Sequence, residues 1–597
     1  MPSSSSLTKP GCALPTTRNT IFIMQDTKDI GGEHREQAME SNTLPYTSSH
    51  ASDMNNNDVE KRGQGFERGT VRQDDAVTLK TWAVVFVLAA SYGISFWPVP
   101  FFSTIQSQIA VELGSEAGQG TWITSVYSLA GTIAFMLCGA NSDLFGRRTF
   151  ILFGNVLVLI GSILGGTSHS IRQTIAAHAI LGFGGGNCQI AAFALPELLP
   201  NKWRHIGVVI ADAGIYFDVI AGPVVSRIAY KHHAWRYGYW AITIAQGIAL
   251  LVLSFFYFPP KHPRGIPWNQ ALRDLDYVGM ISFTAAAALI LCGIVYVQLL
   301  PSNSPTVIAL LVVGFAALVF FAMWETFAKP KEPLAPTRLF TANKGRKLTA
   351  PFVCGFVVTM FYYANNITWP TMLGVYFTNT TTPPHIVYWL ATVQGFGIFT
   401  DGSPITIMTF FGGMFAYITP ERQGMGIAFA FLSSMGYGYA QYLSIAYIQF
   451  GADQVELGIA GGLAGVARYA GGAVAVTLFA TILSTVQTSW ASIHVIAAAE
   501  AAGASPATAR AVLAALPLGA AALEKIQGVT TPIVAAAGGA FIQSFVEGVK
   551  KVAFASLGFG GLAIIACFFL EDIGPKMNGR IEVFLENDVQ AEKNKYH

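Results

Sequence analysis

Three ionisable side chains, Asp212, Asp218 and Arg227, interrupt an otherwise apolar stretch at 206–229. A charge buried in lipid costs a few kcal/mol on insertion scales, so each of them asks for a reason. By helix rise Asp218 stands about 18 Å from one end of the stretch, close to the middle of a bilayer, where a carboxyl group can exchange a proton. A structural pair with Arg227 or another polar neighbour is the alternative. His178, in "AAHAILGFGGGNCQ" at 176–189, titrates near neutrality; a neutral packing histidine would serve the same position. If the two stretches are antiparallel neighbours, His178 and Asp218 fall within about 8 Å in depth and should titrate together. Asp218, His178 and Asp212 are therefore the candidates for moving a proton.

A second set of side chains is polar but uncharged. Tyr92, Tyr127, Gln189, Tyr362, Asn365 and Asn366, with Trp97, Gln106, Gln108, Tyr363 and Trp369 nearby, lie in or beside apolar stretches. Aromatic and amide groups without fixed charge suit a bulky, neutral, moderately polar ligand. Nucleotide-binding glycine loops, metal-ligand spacings and catalytic triads do not stand out, so the pattern points away from an enzyme and from any cofactor. Five of the six cysteines lie inside apolar runs and read as packing residues.

The elements that carry these groups follow from composition. The chain has 597 residues, 52% hydrophobic and 12% charged, which is outside the range of soluble domains and predicts an all-α, polytopic membrane protein. The net charge of +2 gives no reason to expect a nucleic-acid partner. Apolar runs predict about fourteen spans near 81–103, 120–140, 149–168, 173–195, 206–229, 237–258, 277–299, 305–326, 348–370, 385–400, 404–419, 422–447, 456–484 and 552–570. The tenth and eleventh share only residues 385–419, and a single kinked span is the rival reading; it would invert everything downstream. Thirteen Lys/Arg in alternate loops, among them Lys202, Arg204, Lys261, Arg264 and Arg273, against about four in the others place the N-terminus in the cytosol. An even span number returns the C-terminus to the same side.

The polar residues 1–75 read as a disordered cytosolic tail. They are followed by a transmembrane half at 76–260, linking spans and loops at 261–347, a second half at 348–572, and a cytosolic tail at 573–597. Residues 485–551 read as one long, Ala-rich outer loop, either a plain covering connection or a set of interfacial helices.

The densest charge between two spans is "GANSDLFGRRTF" at 139–150. Gly139 permits close helix approach, Gly146 a tight turn, Asp143 a negative cap, and Arg147 and Arg148 an anchor and a latch. The spacing resembles the loop signature of the major facilitator superfamily, with Asn141 in place of the usual Leu. "AGPVVSRIA" at 221–229 is similar to the Gly-Pro antiporter motif, keeping Gly222 and Pro223. "PELLPNKWRHIG" at 196–207, "HHAWRYGYW" at 232–240, "LDYVG" at 275–279 and "ARYAGGAVAVTLFATIL" at 467–483 resemble fourteen-span fungal drug:proton antiporters, in particular the trichothecene efflux pump-like group and the related siderophore transporters. His178 stands where that family has the arginine assigned to proton transfer.

The resemblance implies two pseudo-symmetric six-helix halves plus two extra spans. It implies gating by Gly139, Asp143, Gly146, Arg147, Arg148, Gly222 and Pro223, and proton-coupled efflux of a hydrophobic secondary metabolite, toxin or drug. Siderophore-iron uptake on the same fold is the alternative, and a non-transporting membrane sensor a further one from another class. The expected partners are a small hydrophobic substrate, protons and the lipid bilayer, in a monomer of the plasma membrane or of a vacuolar or vesicle membrane.

Overall fold

The computed structural model describes residues 76–594 apart from 261–266, 301–302, 380, 401–404 and 519. The expected N-terminal tail, Lys261 and Arg264 thus lie outside the described residues. Fourteen apolar helices follow one another: α1 (Leu79–Ser103), α2 (Gly118–Phe145), α3 (Arg147–Gly166), α4 (Ile171–Glu197), α5 (Asn201–Lys231), α6 (Tyr237–Phe256), α7 (Tyr277–Val297), α8 (Pro305–Ala328), α9 (Thr349–Phe377), α10 (Pro384–Phe399), α11 (Ile405–Tyr417), α12 (Gln423–Gly451), α13 (Leu457–Ala501) and α14 (Thr531–Cys567). They make the chain a multi-pass integral membrane protein. Ten of them are long and apolar enough to cross a bilayer on those grounds alone.

Helices α1–α6 pack mainly among themselves, as do α9–α14, and α13 joins the two groups by lying along α2. Small residues set the helix spacing within the first group. A Cβ at Gly182 or Gly186 of α4 would strike the backbone of α2, and one at Gly184 would strike α3, so the glycine run lets three helices close together. The linking pair α7–α8 packs face to face, with α7 against α2 and α13 beside the seam.

The pair α10–α11 departs from the expected fourteen crossings. Along α10, Gly397 meets Phe431 and Ser434 of α12; along α11, Met408 meets Gly436 and Phe411 packs at a tilt against Phe429. The chain therefore descends beside α12 and returns, reaching about 20 Å along a helix about 43 Å long. This is a re-entrant pair entering and leaving at one face, neither two full spans nor one kinked span. The crossing number stays even. In agreement, the segment after α14 lies at the same end as the start of α1: Thr78 and Thr81 donate to Asp588, and the Gln590 amide donates to the Ala76 carbonyl at 3.0 Å.

Residues 485–551 also differ from expectation. Instead of one connection they continue α13, 45 residues long, and begin α14, 37 residues long. At 1.5 Å per residue α13 measures about 67 Å, roughly twice the hydrocarbon thickness. The Ala-rich sequence holds no breaker until Gly503, whose backbone is left-handed (φ 98), and α14 starts with Pro532 in its first turn. With the helix at Pro506–Ala515, the protruding ends bury their own apolar cluster, including Val495, Val512 and Ile533.

Candidate functional site

Three layers of polar groups cross the seam between the halves. The first closes the end that carries the basic loops. Gly146 connects α2 to α3 with φ 86, which brings Arg147 back over α2. Its buried guanidinium donates to Asp143 at 3.0 Å and makes a two-armed pair with Glu197 at 2.6 and 2.7 Å. Asp143 also accepts from the backbone N–H groups of Gly458 (2.9 Å) and Ile459 (3.0 Å) in the first turn of α13, where the helix dipole favours an anion. Gln454 donates to Glu197 at 2.8 Å and accepts from Arg204 at 2.9 Å. Gly139 makes the closure possible, since a Cβ there would lie 2.5 Å from the Gly462 Cα. Arg148, expected in the latch, is not in it. It donates to the Ser254 carbonyl at 2.8 Å and lies over the Phe258 ring, both within the first half.

The second layer lies about 15 Å further along α13 by helix rise. Arg468 donates to the Tyr92 hydroxyl at 2.8 Å and stands 3.5 Å from the Asp212 carboxylate, to which Tyr92 donates at 2.7 Å. Asp212 is 0% exposed, and its second oxygen, Oδ2, has no hydrogen-bond partner among the described residues. The triad joins α1, α5 and α13, so this ion pair also spans the seam. Around it the Tyr469 hydroxyl donates to Gln189 at 3.0 Å and the Tyr127 hydroxyl to the Ser95 carbonyl at 2.6 Å.

The third layer is a cavity of about 440 Å³ on the side of Arg468 away from the latch. Phe96, Gln106, Pro223, Tyr362, Tyr363 and Asn366 are among its walls, with Trp369 and Arg227, and α7 closes one side. Gly222 brings α5 close to α1, a Cβ there lying 3.0 Å from Pro100, and Pro223 faces the opening beside it.

The expected site residues therefore divide. Tyr362 and Asn366 line the cavity. Tyr92, Tyr127, Gln189 and Asn365 do not: the first three belong to the network beneath it, and Asn365 donates to Ser433 at 2.9 Å behind the wall. Asp218 is 5% exposed and its Oδ2 lacks a partner among the described residues; the pair with Arg227, the alternative to proton exchange, is not formed among them. His178 does not meet Asp218 either. Its Nδ1 lies 3.0 Å from the Thr174 carbonyl and 3.4 Å from the Tyr239 hydroxyl, and Phe102 packs edge-on against the ring. The ring belongs to the α4–α6 packing, so the shared titration read from depth alone has no contact to carry it.

Sequence reasoning missed Glu197, Gln454 and Arg468. Arg468 had a signal, since it is a charge inside an apolar span just as Asp212 is. Glu197 closes α4 at the end of an apolar run, inside "PELLPNKWRHIG", where it reads as an ordinary span-end charge, and Gln454 is an uncharged residue in the short connection before α13.

An all-helical membrane fold, two helix groups joined at a seam, a charged closure at one end and a cavity between the groups define a transporter of the major facilitator type. Residues 75–402 and 402–596 match the family model of the fungal trichothecene efflux pump, and the chain belongs to that family. The MFS-type transporter prx5 of Penicillium rubens is 39% identical over 527 residues, 85% of this chain and 94% of that protein. The trichothecene efflux pump TRI12 of Fusarium sporotrichioides is 22% identical over 530 residues, 83% of this chain and 85% of that one. Among solved structures, an auto-inhibited POT family peptide transporter is similar at a TM-score of 0.48 and 15% identity, covering 81% of this chain and 96% of that chain.

Proposed function

We propose that this protein exports a hydrophobic secondary metabolite or toxin across the plasma membrane in exchange for protons, and that Asp212 couples the two through Arg468. The observation that carries the reading is the Arg468–Asp212–Tyr92 triad, buried at the floor of the cavity and shared between the halves. While Asp212 is charged, its attraction for Arg468 draws α13 against α5 and keeps the latch end shut. A proton entering from the cavity neutralises Asp212 and leaves Arg468 with a hydroxyl as its partner. A desolvated guanidinium without a counter-charge is costly, so the protonated state favours parting of the halves at the latch end. Proton uptake on the outer side then drives the return to the inward-open state, as export by antiport requires. Asp218, buried on α5, is the second group able to take a proton. Tyr362 and Asn366 contact the substrate, Asp143 and Arg147 form the gate, and Gly222 and Pro223 let α5 bend.

Transport into inside-out vesicles with and without a proton gradient tests the reading. Gradient-dependent accumulation of hydrophobic toxins, and not of ferric siderophores, is expected. Gradient-driven loss of ferric siderophore preloaded into the vesicles would move the assignment to uptake, and toxin accumulation unchanged by the gradient would remove the coupling.

A further inference from the structure

Arg227 is the cation for which the closed network has no use. Every other arginine facing the seam has a polar partner: Arg147 has Glu197 and Asp143, Arg204 has Gln454, and Arg468 has Asp212 and Tyr92. Arg227 sits four residues beyond Pro223 on α5 and lines the cavity, half-buried. Among the described residues it has no hydrogen bond and no ion pair, and no aspartate or glutamate lines the cavity with it. Among those residues, the one ionisable side chain near enough to act on its charge is Tyr388 of α10, a phenol and not a carboxylate. An unpaired guanidinium held against apolar walls is unfavourable unless something anionic or rich in acceptors shares the space. The remaining walls are aromatic and aliphatic, with neutral amides and hydroxyls such as Gln106, Thr124 and Asn366.

We propose that Arg227 is the anion-recognition residue of the cavity, and that the transported molecule is an amphipathic organic acid: a carboxylate on a bulky apolar body. This rests on the transport reading above and replaces the fully neutral ligand expected from the sequence. The carboxylate meets the guanidinium in the two-armed geometry that arginine offers, while the apolar body lies against Phe96, Tyr362 and Trp369. About 440 Å³ admits a small drug-sized molecule. The same chemistry would attract a lipid phosphate, so the test separates the two.

The full chain is purified into nanodiscs of phosphatidylcholine, and binding of dansyl-aminoundecanoic acid and of its methyl ester is followed by fluorescence. The acid is expected to bind about tenfold tighter than the ester. Arg227→Gln should remove that advantage without changing ester binding, and Arg227→Lys should keep part of it, which shows that the site remains folded. Equal binding of acid and ester, an acid preference that survives Arg227→Gln, or no binding of either probe overturns the proposal. So does an acid advantage that vanishes when phosphatidylglycerol is added, because the guanidinium would then serve a headgroup. Gradient-driven transport in vesicles is measured separately. Its loss with normal acid binding would count against the pump reading and leave the assignment of Arg227 intact.

Discussion

Asp212 and Arg468 illustrate how a single buried charge can be useful only because another chain segment completes it. Removing one partner of a buried pair costs about 3–5 kcal/mol, since the other is left uncompensated. Asp212→Asn should therefore abolish uphill transport and lower the amount of folded protein. Asp212→Asn combined with Arg468→Gln should recover the folded protein but not the coupling, read as membrane abundance against gradient-driven accumulation. Restored coupling in the double variant would exclude the pair as the switch. At the gate, Asp143→Asn keeps the shape of the latch but loses the charge that meets Arg147 and the α13 N-terminus. Transport slower by about tenfold or more is expected, at normal abundance in the membrane; unchanged turnover would leave the loop a purely topological role. Arg148→Ala should have a far smaller effect than Arg147→Ala, because its contacts stay within one half.

The elements most sensitive to context are those that cross between the halves. Residues 571–594 run from the end of α14 across the closed end as a strap. Lys576 donates to the Phe450 carbonyl at 2.6 Å, the Lys202 N–H to the Asn578 carbonyl at 2.7 Å, and the Val583 N–H to the Glu197 carbonyl at 3.2 Å. These bonds reach α12 on one side and the first half on the other, so opening of the latch end has to strain or release them. Deleting 571–594 should raise labelling of a Gln454→Cys variant by a membrane-impermeant maleimide from that face severalfold, and equal labelling would show the strap to be slack. The Asp588 carboxyl at its far end feels partial burial, which raises its pKa, but hydroxyls of Thr78 and Thr81 outweigh that and hold it below its ordinary value. A depressed carboxylate stabilises above its ordinary pKa and loses that contribution only as pH falls through the lowered value. The strap end should thus stay bound from pH 5 to 8, measurable as unchanged cysteine accessibility across that range at Ala591→Cys, a position buried while the strap is in place.

For the whole molecule, the even number of crossings and the strap place both ends of the described chain on one face, and the Lys/Arg bias assigns that face to the cytosol. The exposed Asn379 follows α9 at the opposite face. Glycan attachment there, together with labelling of the C-terminal tail only in permeabilised cells, is the expected pattern. A C-terminus labelled in intact cells would require an odd crossing number, against the re-entrant reading of α10–α11. The long outer ends of α13 and α14 should survive as a protease-resistant hairpin, because they bury a small core of their own around Val495 and Val512.

Much of this protein is legible one residue at a time. Apolar length determines which segments enter the bilayer, because lipid leaves an unpaired backbone no alternative to helix. The charges of "GANSDLFGRRTF" identify the gate loop, because a tight turn between two spans forces Gly146, Asp143 and Arg147 into one spatial cluster. What the sequence could not decide is whom each charge meets. Asp218 and His178 agree in depth and face different helices, Arg227 and Asp218 share a helix and remain apart, and Arg468 finds Asp212 across more than 250 positions of chain. Depth follows from helix rise, which is local. Azimuth and neighbour follow from how glycine-lined faces such as those of α2, α4 and α13 fit together, and only the assembled fold sets that fit.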